Sequence, residues 1–182
     1  DLEPSDIREQ LYLCLDCRAC ETACPSGVRF GSLLERARVE TERDRKRSPA
    51  AQLVRMALFQ WLLPHQKNVN LLADLLHFYQ ASGLQRLTGR SGLQKLLPPV
   101  PSRKERKPLP EKLATSFPIR DKVAFFTGCV MGALYPHVNR DTVEVLMAAG
   151  CDVVVPEDQC CCGALHLHSG EEAVALTLAK RN

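Results

Sequence analysis

The sequence predicts an α+β fold, in which helices fill the first half of the chain and a small parallel α/β unit follows near its end. The chain has 182 residues, of which 45% are hydrophobic, so it can bury a core. Apolar residues recur at helical spacing as far as about residue 97. After residue 121, short β-branched runs alternate with helical patterns, as is typical of a parallel α/β unit.

The composition excludes several classes of function. The formal net charge is +3 and only 5% of the residues are aromatic, which argues against nucleic-acid binding. No run of 18 apolar residues is present, so we expect no transmembrane segment. The chain has no GxGxxG, no P-loop and no acid–base constellation, so substrate chemistry is expected on another subunit.

The first helices flank a dense group of cysteines. Residues 4–6, Pro-Ser-Asp, form a helix start. Ser32 and Glu35 predict a capping box for the helix that follows the cysteines. Residues 36–47 contain six basic and three acidic side chains, which we interpret as a solvated helix face, with an anion or partner patch as the alternative.

Residues 48–97 predict a helical connector that serves as a scaffold and could also pack on a partner. Ser48 is a helix N-cap, and Pro49 follows at the first helical position. Before Pro64, apolar residues share one helix face: Ala50, Leu53, Val54, Ala57, Leu58 and Trp61. A second apolar stretch ends at Gly83 and contains Leu71, Leu72, Leu75, Leu76 and Tyr79. A weaker third stretch contains Leu84, Leu87, Leu93, Leu96 and Leu97.

Residues 98–121 predict an extended, solvated linker, because they hold six of the twelve prolines and a basic run. The α/β unit is then expected over 122–182. Residues 123–127 predict a buried strand, and residues 153–155 predict a second strand.

Helices are expected after each of these strands. Asn139 predicts the cap of the first helix, and Gly150 predicts its end. Ser169 and Glu172 predict a capping box for the second helix.

The nine cysteines fall into two groups, and the 104 residues between these groups contain none. A disulfide scaffold would distribute its bridges through the core, and the polar first residues, DLEPSDIREQ, do not resemble a signal peptide. We therefore interpret the cysteines as metal-binding thiolates in a reducing compartment.

The first group reads C-L-D-C-R-A-C-E-T-A-C-P and comprises Cys14, Cys17, Cys20 and Cys24. These spacings are those of bacterial ferredoxins, in which three cysteines bind one [4Fe-4S] cube and the fourth, followed by proline, binds another. Zinc modules use two separated pairs instead, so we prefer iron–sulfur clusters over zinc or a redox pair. The remaining ligands of the two clusters are expected in a second such run before Asp1.

These observations predict four segments. Residues 1–47 are the second half of a helical [4Fe-4S] ferredoxin domain, 48–97 are the connector, 98–121 are the linker, and 122–182 are the first part of a cysteine-rich unit. The chain begins without Met and ends in a helical pattern without a stop signal, which favours an internal fragment.

The second group of cysteines follows the two predicted strands. Cys129 comes after the first strand, and 31 residues separate it from Cys161, which begins the turn Cys161-Cys162-Gly163. Both loops leave the same edge of the sheet, so their thiols can converge. Adjacent thiolates suit a multinuclear cluster or a redox-active pair beside one, since a disulfide between neighbours is strained.

The order of a C-x-x-C-x-x-C-x-x-x-C-P run, a helical segment and a C-x31-C-C-G motif resembles the iron–sulfur subunits of glycolate oxidase. Similar proteins include lactate-utilisation iron–sulfur proteins and heterodisulfide reductase subunits. The resemblance implies that Cys14, Cys17, Cys20 and Cys24 bind clusters and that Cys129, Cys161 and Cys162 belong to the cysteine-rich motif. Cys160 makes three consecutive cysteines where the family has two, and we interpret it as an accessory thiol. We interpret Cys151 as a cysteine buried in the core.

The resemblance also implies cofactors and partners. The parent protein would carry two [4Fe-4S] clusters, with a further cluster at the CCG motif as an open alternative, while FAD would sit on a partner flavoprotein. Electrons from a 2-hydroxy acid such as glycolate or lactate would pass to a quinone or another acceptor, in the cytoplasm or at the inner face of the membrane. The alternative function is a heterodisulfide reductase, with a disulfide reduced at the CCG motif. His166 and His168 are expected in loop or cap roles rather than as ligands.

Overall fold

The computed structural model describes residues 4–43, 45–83 and 97–182. Its contacts divide the chain into two compact units. The first unit contains Asp1–Gln60 with Cys162–Arg181, and the second contains Trp61–Cys161 with Asn182. The expected α+β class is confirmed by helices in both units and a small sheet in the second.

The first unit is helical. Its helices are α1 (Pro4–Leu13), α2 (Ala19–Ala23), α3 (Phe30–Arg43) and α4 (Pro49–Met56), with the later α8 (Ala164–His168) and α9 (Glu172–Arg181). Helix α4 continues directly into a π-helix, Ala57–Leu62, which crosses the boundary between the units. Helix α3 contacts α1, α2 and α8, so it is the centre of this unit.

Helix α3 differs from its prediction in two ways. It begins at Phe30, so the expected capping box of Ser32 and Glu35 lies inside the helix. The basic run was expected to be solvated, but Arg38 and Glu42 are buried. Arg38 donates to carbonyl oxygens distant in sequence, and Glu42 pairs with arginines that include Arg45 and Arg47 of the same basic run.

Helix α4 begins as predicted, because the Ser48 side chain accepts a hydrogen bond from the Ala51 amide and Pro49 follows the cap. Its predicted apolar face, however, is exposed at Leu53 (64%) and Val54 (67%). The buried aromatic residue of this segment is instead Phe59, in the π-helix.

A group of ion pairs ties α4 to α3 and to the start of α9 within the first unit. Arg55 Nε lies 2.5 Å from Glu171 Oε1, and its Nη1 lies 3.5 Å from the buried Glu42 carboxylate. Arg47 also pairs with Glu42. Gly170 leaves room for this carboxylate, since an added Cβ would lie 2.9 Å from Glu42 Cγ.

The second unit combines helices with a three-stranded sheet. Its helices are α5 (Gln66–Ala81), α6 (Cys129–Leu134) and α7 (Pro136–Ala148), and its strands are β1 (Lys112–Leu113), β2 (Asp121–Ala124) and β3 (Cys151–Val154). One apolar cluster joins α5 and α6 through Val69, Ala73, Val100 and Ala133. The other joins α7 and the sheet around Val143, Val153 and Val155.

The sheet has the order β1-β3-β2 and is mixed rather than wholly parallel. Strand β2 pairs parallel with β3, as predicted, with Asp121 opposite Cys151 and Ala124 opposite Val154. Strand β1 pairs antiparallel with β3 and lies within 98–121, which therefore is not an extended, solvated linker throughout. Strand β2 is at the edge of this sheet and its residues are mostly exposed, so the prediction of a buried strand over 123–127 is wrong.

Several predicted helix ends can be compared with the structure. Gly83 and Gly150 both adopt positive φ after α5 and α7, as helix-terminating glycines do. Asn139 is not a cap, because α7 already begins at Pro136. The weaker third apolar stretch falls largely on 84–96, outside the described residues. None of the described helices combines the length and the apolar character that a membrane span requires.

Candidate functional site

The first cysteine group surrounds α2 in the first unit. Cys14 follows the end of α1 and is half-buried, whereas Cys17 and Cys20 are exposed. The Cys14 sulfur accepts a hydrogen bond from the Asp16 amide over 3.4 Å. Asp16 and Arg18 both adopt left-handed backbone conformations, with φ of 54° and 57°. Such conformations are uncommon for residues other than glycine, and they cluster at functional sites.

Cys24 is half-buried at the carboxyl end of α2. Hydrogen bonds from the backbone amides of Val28 and Ser26 lower the pKa of its thiol from the ordinary value of 9.0. A lowered pKa increases the thiolate fraction, and the thiolate is the form that binds metals.

The spacing of these sulfurs can be compared with what different metals require. Among the described residues, no three cysteine sulfurs lie within 4.8 Å of one another. A single zinc ion with Zn–S bonds of about 2.3 Å would hold its sulfurs within about 4.6 Å of each other. A [4Fe-4S] cube instead gives each thiolate its own iron, so it accepts ligands that stand further apart. Four thiols in this spacing are the type of donor set that [4Fe-4S] clusters take.

Arg38 holds the backbone of the cysteine loop through hydrogen bonds from its guanidinium. This residue of α3 is only 4% exposed. Its Nη2 donates to the carbonyl oxygens of Leu11 at 2.8 Å and Cys14 at 2.6 Å, and its Nη1 donates to that of His168 at 3.3 Å. One guanidinium thus binds carbonyls at the end of α1 and at the first cysteine, groups that a helix end leaves without partners. Sequence analysis missed this residue because it lies in a run of similar charges.

Arg18 and Glu21 fix the other side of the loop. Arg18 Nη2 donates to Glu35 Oε1 over 2.9 Å, and the Glu21 carboxylate accepts the Gly31 amide over 2.6 Å. Glycine at position 31 lets the Arg18 side chain lie close to the start of α3, since an added Cβ would lie 2.8 Å from Arg18 Nε. The start of α3 therefore packs directly on the cysteine segment.

The second cysteine group lies partly in the second unit. The sulfurs of Cys129 and Cys161 are 3.5 Å apart and both residues are buried. The predicted convergence of the two loops is therefore present for this pair. Cys162 is exposed and belongs to the first unit.

Polar side chains hold the loop that precedes Cys129. Gln159 accepts the Thr127 amide at 2.9 Å and donates to the Phe125 carbonyl at 2.8 Å. Asn139 donates to the Thr127 carbonyl at 2.8 Å, which explains why this amide is buried inside α7. These bonds connect the end of β2 to the loop that carries Cys160 and Cys161, and so position the sulfur pair.

The two remaining cysteines differ in their surroundings. Cys160 is buried, and its amide donates to Asn182 Oδ1 over 2.9 Å. Cys151 begins β3 and is half-buried, not fully within the core as expected. A cavity of about 560 Å³ adjoins Cys160, and its lining combines polar residues such as Thr127 and Arg140 with prolines and other apolar residues.

The two histidines after the CCG turn have structural neighbours in the first unit. His166 is fully buried, its Nε2 donates to the Phe59 carbonyl at 2.8 Å, and its ring meets the Phe59 ring edge-on. The accepting carbonyl lies in the π-helix, a rare element that is frequent at functional sites. His168 is half-buried and its Nδ1 lies 3.0 Å from Asp16 Oδ2.

Comparison with known proteins agrees with the resemblance seen in the sequence. Residues 50–103 match the model of the glycolate oxidase iron–sulfur subunit linker region, and residues 123–182 match that of the cysteine-rich domain. A probable glycolate oxidase iron–sulfur subunit of Bacillus subtilis is 42% identical over 193 aligned residues, which cover 100% of this chain and 44% of the relative. The chain belongs to the glycolate oxidase iron–sulfur subunit family.

Other relatives extend the comparison. The glycolate oxidase iron–sulfur subunit of Escherichia coli is 30% identical over 96% of the chain and 40% of the relative. Lactate utilization protein A of Shouchella clausii is 48% identical over 26% of the chain and 20% of the relative. The chain thus spans less than half the length of the two glycolate oxidase iron–sulfur subunits. No solved structure matches the chain.

Proposed function

We propose that this chain is part of the iron–sulfur subunit of a 2-hydroxy-acid oxidase or dehydrogenase that acts on glycolate or lactate. In this complex, a partner flavoprotein carrying FAD oxidises the substrate, and the iron–sulfur subunit delivers the electrons to a quinone or another acceptor. The observation that carries the proposal is the four-cysteine run, in a chain that is 42% identical along its full length to a probable glycolate oxidase iron–sulfur subunit. The complex is assigned to the cytoplasm or to the inner face of the membrane, since metal-bound thiolates persist in reducing compartments.

Four residues of this chain would hold clusters. Cys14, Cys17 and Cys20 would bind one [4Fe-4S] cluster, and Cys24 would bind a second, with the other ligands in the remainder of the parent protein. Such clusters supply one-electron transfer when bound. Cys129, Cys161 and Cys162 are assigned to the CCG motif, where a further cluster is the open alternative.

The surrounding residues orient these ligands and adjust their charge. The Asp16 amide donates to the Cys14 sulfur, and backbone amides near Val28 favour the Cys24 thiolate. Hydrogen bonds to cluster sulfurs raise reduction potentials, so both contacts favour acceptance of an electron. Arg38 holds the Cys14 backbone in place and adds a buried positive charge beside it.

The ligand assignment can be tested with two serine variants of the full-length parent protein, each purified anaerobically. Cys17→Ser should lose roughly four irons per chain, one [4Fe-4S] cluster. Cys151→Ser, at the start of β3, is the matched control and should retain all of them. Iron and sulfide analysis with low-temperature EPR measures both variants. Equal iron contents and unchanged spectra in Cys17→Ser would overturn the assignment.

A second candidate function, disulfide reduction at the CCG motif, is favoured by the 3.5 Å Cys129–Cys161 pair and the cavity beside Cys160. Cys161→Ala in the parent complex discriminates between the two functions. If the motif supports electron transfer, flavin reduction by the hydroxy acid should persist while electron flow to the acceptor slows. If the motif reduces a disulfide, disulfide-linked turnover should be abolished, with no flavin signal that depends on a hydroxy acid. Stopped-flow flavin absorbance, measured beside both turnover assays, reports the outcome.

A further inference from the structure

Three side chains with metal-ligating atoms converge in the first unit. They are Asp16 in the cysteine loop, Glu35 on α3 and His168 at the end of α8, and their ligand atoms all lie within 4.8 Å of one another. His168 Nδ1 is 3.0 Å from Asp16 Oδ2 and 3.8 Å from Glu35 Oε1. Three segments that are separate in the sequence therefore bring metal-ligating atoms to one place.

The Asp16 carboxylate is the unusual member of this group. Its side chain is only 2% exposed, and no hydrogen-bond donor with suitable geometry reaches either of its oxygens among the described residues. His168 Nδ1 is likewise buried without a hydrogen-bond partner there, although it faces Asp16. A buried carboxylate without a partner is costly, so the two atoms require a shared cation or a proton between them.

Arg18 carries the positive charge nearest to the Asp16 carboxylate, but it compensates that carboxylate only in part. Arg18 Nη2 donates to Glu35 Oε1 at 2.9 Å, but its Nε is 3.8 Å from Asp16 Oδ1, beyond hydrogen-bonding distance. The Arg18 side chain is also 51% exposed, so solvent screens its charge. When His168 is neutral, the Asp16 and Glu35 carboxylates and the Arg18 guanidinium together have a net charge of −1.

We propose that Asp16, Glu35 and His168 bind a divalent cation of borderline hardness, such as Zn²⁺. One imidazole nitrogen and two carboxylate oxygens suit such an ion, and a tetrahedral zinc with bonds of about 2.0–2.1 Å spaces its ligands by about 3.4 Å. His168 Nδ1 lies 3.0 Å from Asp16 Oδ2 and 3.8 Å from Glu35 Oε1, and these two distances bracket that value. The ion would link the cysteine loop to α3 and to the segment that follows the CCG turn, all within the first unit.

The test uses the full-length parent protein, purified anaerobically with its cysteines occupied by clusters and with loosely bound metal removed by a weak chelator. Zn²⁺ is titrated by calorimetry, and zinc X-ray absorption identifies the ligand atoms. The parent should bind one Zn²⁺ per chain with only nitrogen and oxygen ligands. Sulfur ligation alone would indicate vacant cluster cysteines and would overturn the proposal.

Two matched pairs of variants locate the site. Glu35→Gln and His168→Ala should each weaken Zn²⁺ binding by about 100-fold, whereas Glu40→Gln on the same helix and His137→Ala should bind as the parent does. Glu35→Gln preserves the shape of the side chain, so it decides the test if His168→Ala does not fold. Equal affinity in Glu35→Gln and Glu40→Gln would overturn the site. Absence of zinc binding in the parent would also overturn it.

Discussion

Replacing Arg38 by methionine should destabilise the chain and loosen the first cysteine loop. The substitution keeps much of the buried volume but removes the donors to the carbonyls of Leu11 and Cys14, at 2.8 and 2.6 Å. Hydrogen bonds from a charged group contribute about 1.5–3 kcal/mol each, while the bond to the His168 carbonyl at 3.3 Å contributes less. Taking the lower value for the two short bonds, we expect the free energy of unfolding to fall by about 3 kcal/mol.

Arg43→Met provides the control, because Arg43 lies on the same helix and is exposed. It pairs with Glu40 over 3.3 Å at the surface, and such ion pairs contribute about 0–1 kcal/mol. Urea unfolding of the 182-residue chain measures both variants, and iron retention in the parent protein reports the effect on the cysteine loop. If the two variants differ by less than about 0.5 kcal/mol and retain iron equally, Arg38 does not anchor the loop.

Three further predictions concern single positions. Gly163→Ala should lower the free energy of unfolding by about 2–3 kcal/mol, measured in urea, because φ is +79° and the added Cβ would lie 3.1 Å from the Ala175 backbone. Gly132→Ala should raise it by about 0.5–1 kcal/mol in the same assay, since this helical glycine has open space for a Cβ. In the cluster-free chain, Cys24 alkylation should have its midpoint below pH 9.0, because amide hydrogen bonds lower the pKa of the thiol. The Cys24 thiolate should stabilise the folded chain fully above pH 9.0, and this stabilisation should be lost as the pH falls through the lowered pKa. An alkylation midpoint at or above pH 9.0 would show that these amide hydrogen bonds do not lower the pKa of the Cys24 thiol.

The features that could be predicted from the sequence are those encoded by short spacings. The Ser48-Pro49 start of α4, the end of α7 at Gly150 and the parallel pairing of β2 with β3 all follow from local patterns. The approach of Cys129 to Cys161 also follows, because the carboxyl ends of parallel strands share one edge of a sheet.

The features that could not be predicted depend on distant partners. The Arg38 guanidinium bonds to a carbonyl 27 residues earlier and to another 130 residues later, and no local pattern distinguishes it from its exposed neighbours. The apolar face of α4 shows a related limit, since helical periodicity identifies a face that is apolar but not whether it is covered. The left-handed backbone at Asp16 and Arg18 has no glycine to indicate it.

Buried polar groups hold the cysteine loop where apolar packing could not. The buried side chains of the first unit include the apolar Leu34 and Phe59 and the polar Arg38, Glu42 and His166. Apolar contacts have no preferred direction, so they resist small rotations of a loop only weakly. Hydrogen bonds from one guanidinium to carbonyls of two segments fix both distance and angle. A cluster site needs its sulfurs held in fixed geometry, so we expect changes at these polar residues to impair iron retention more than apolar changes of equal cost in stability.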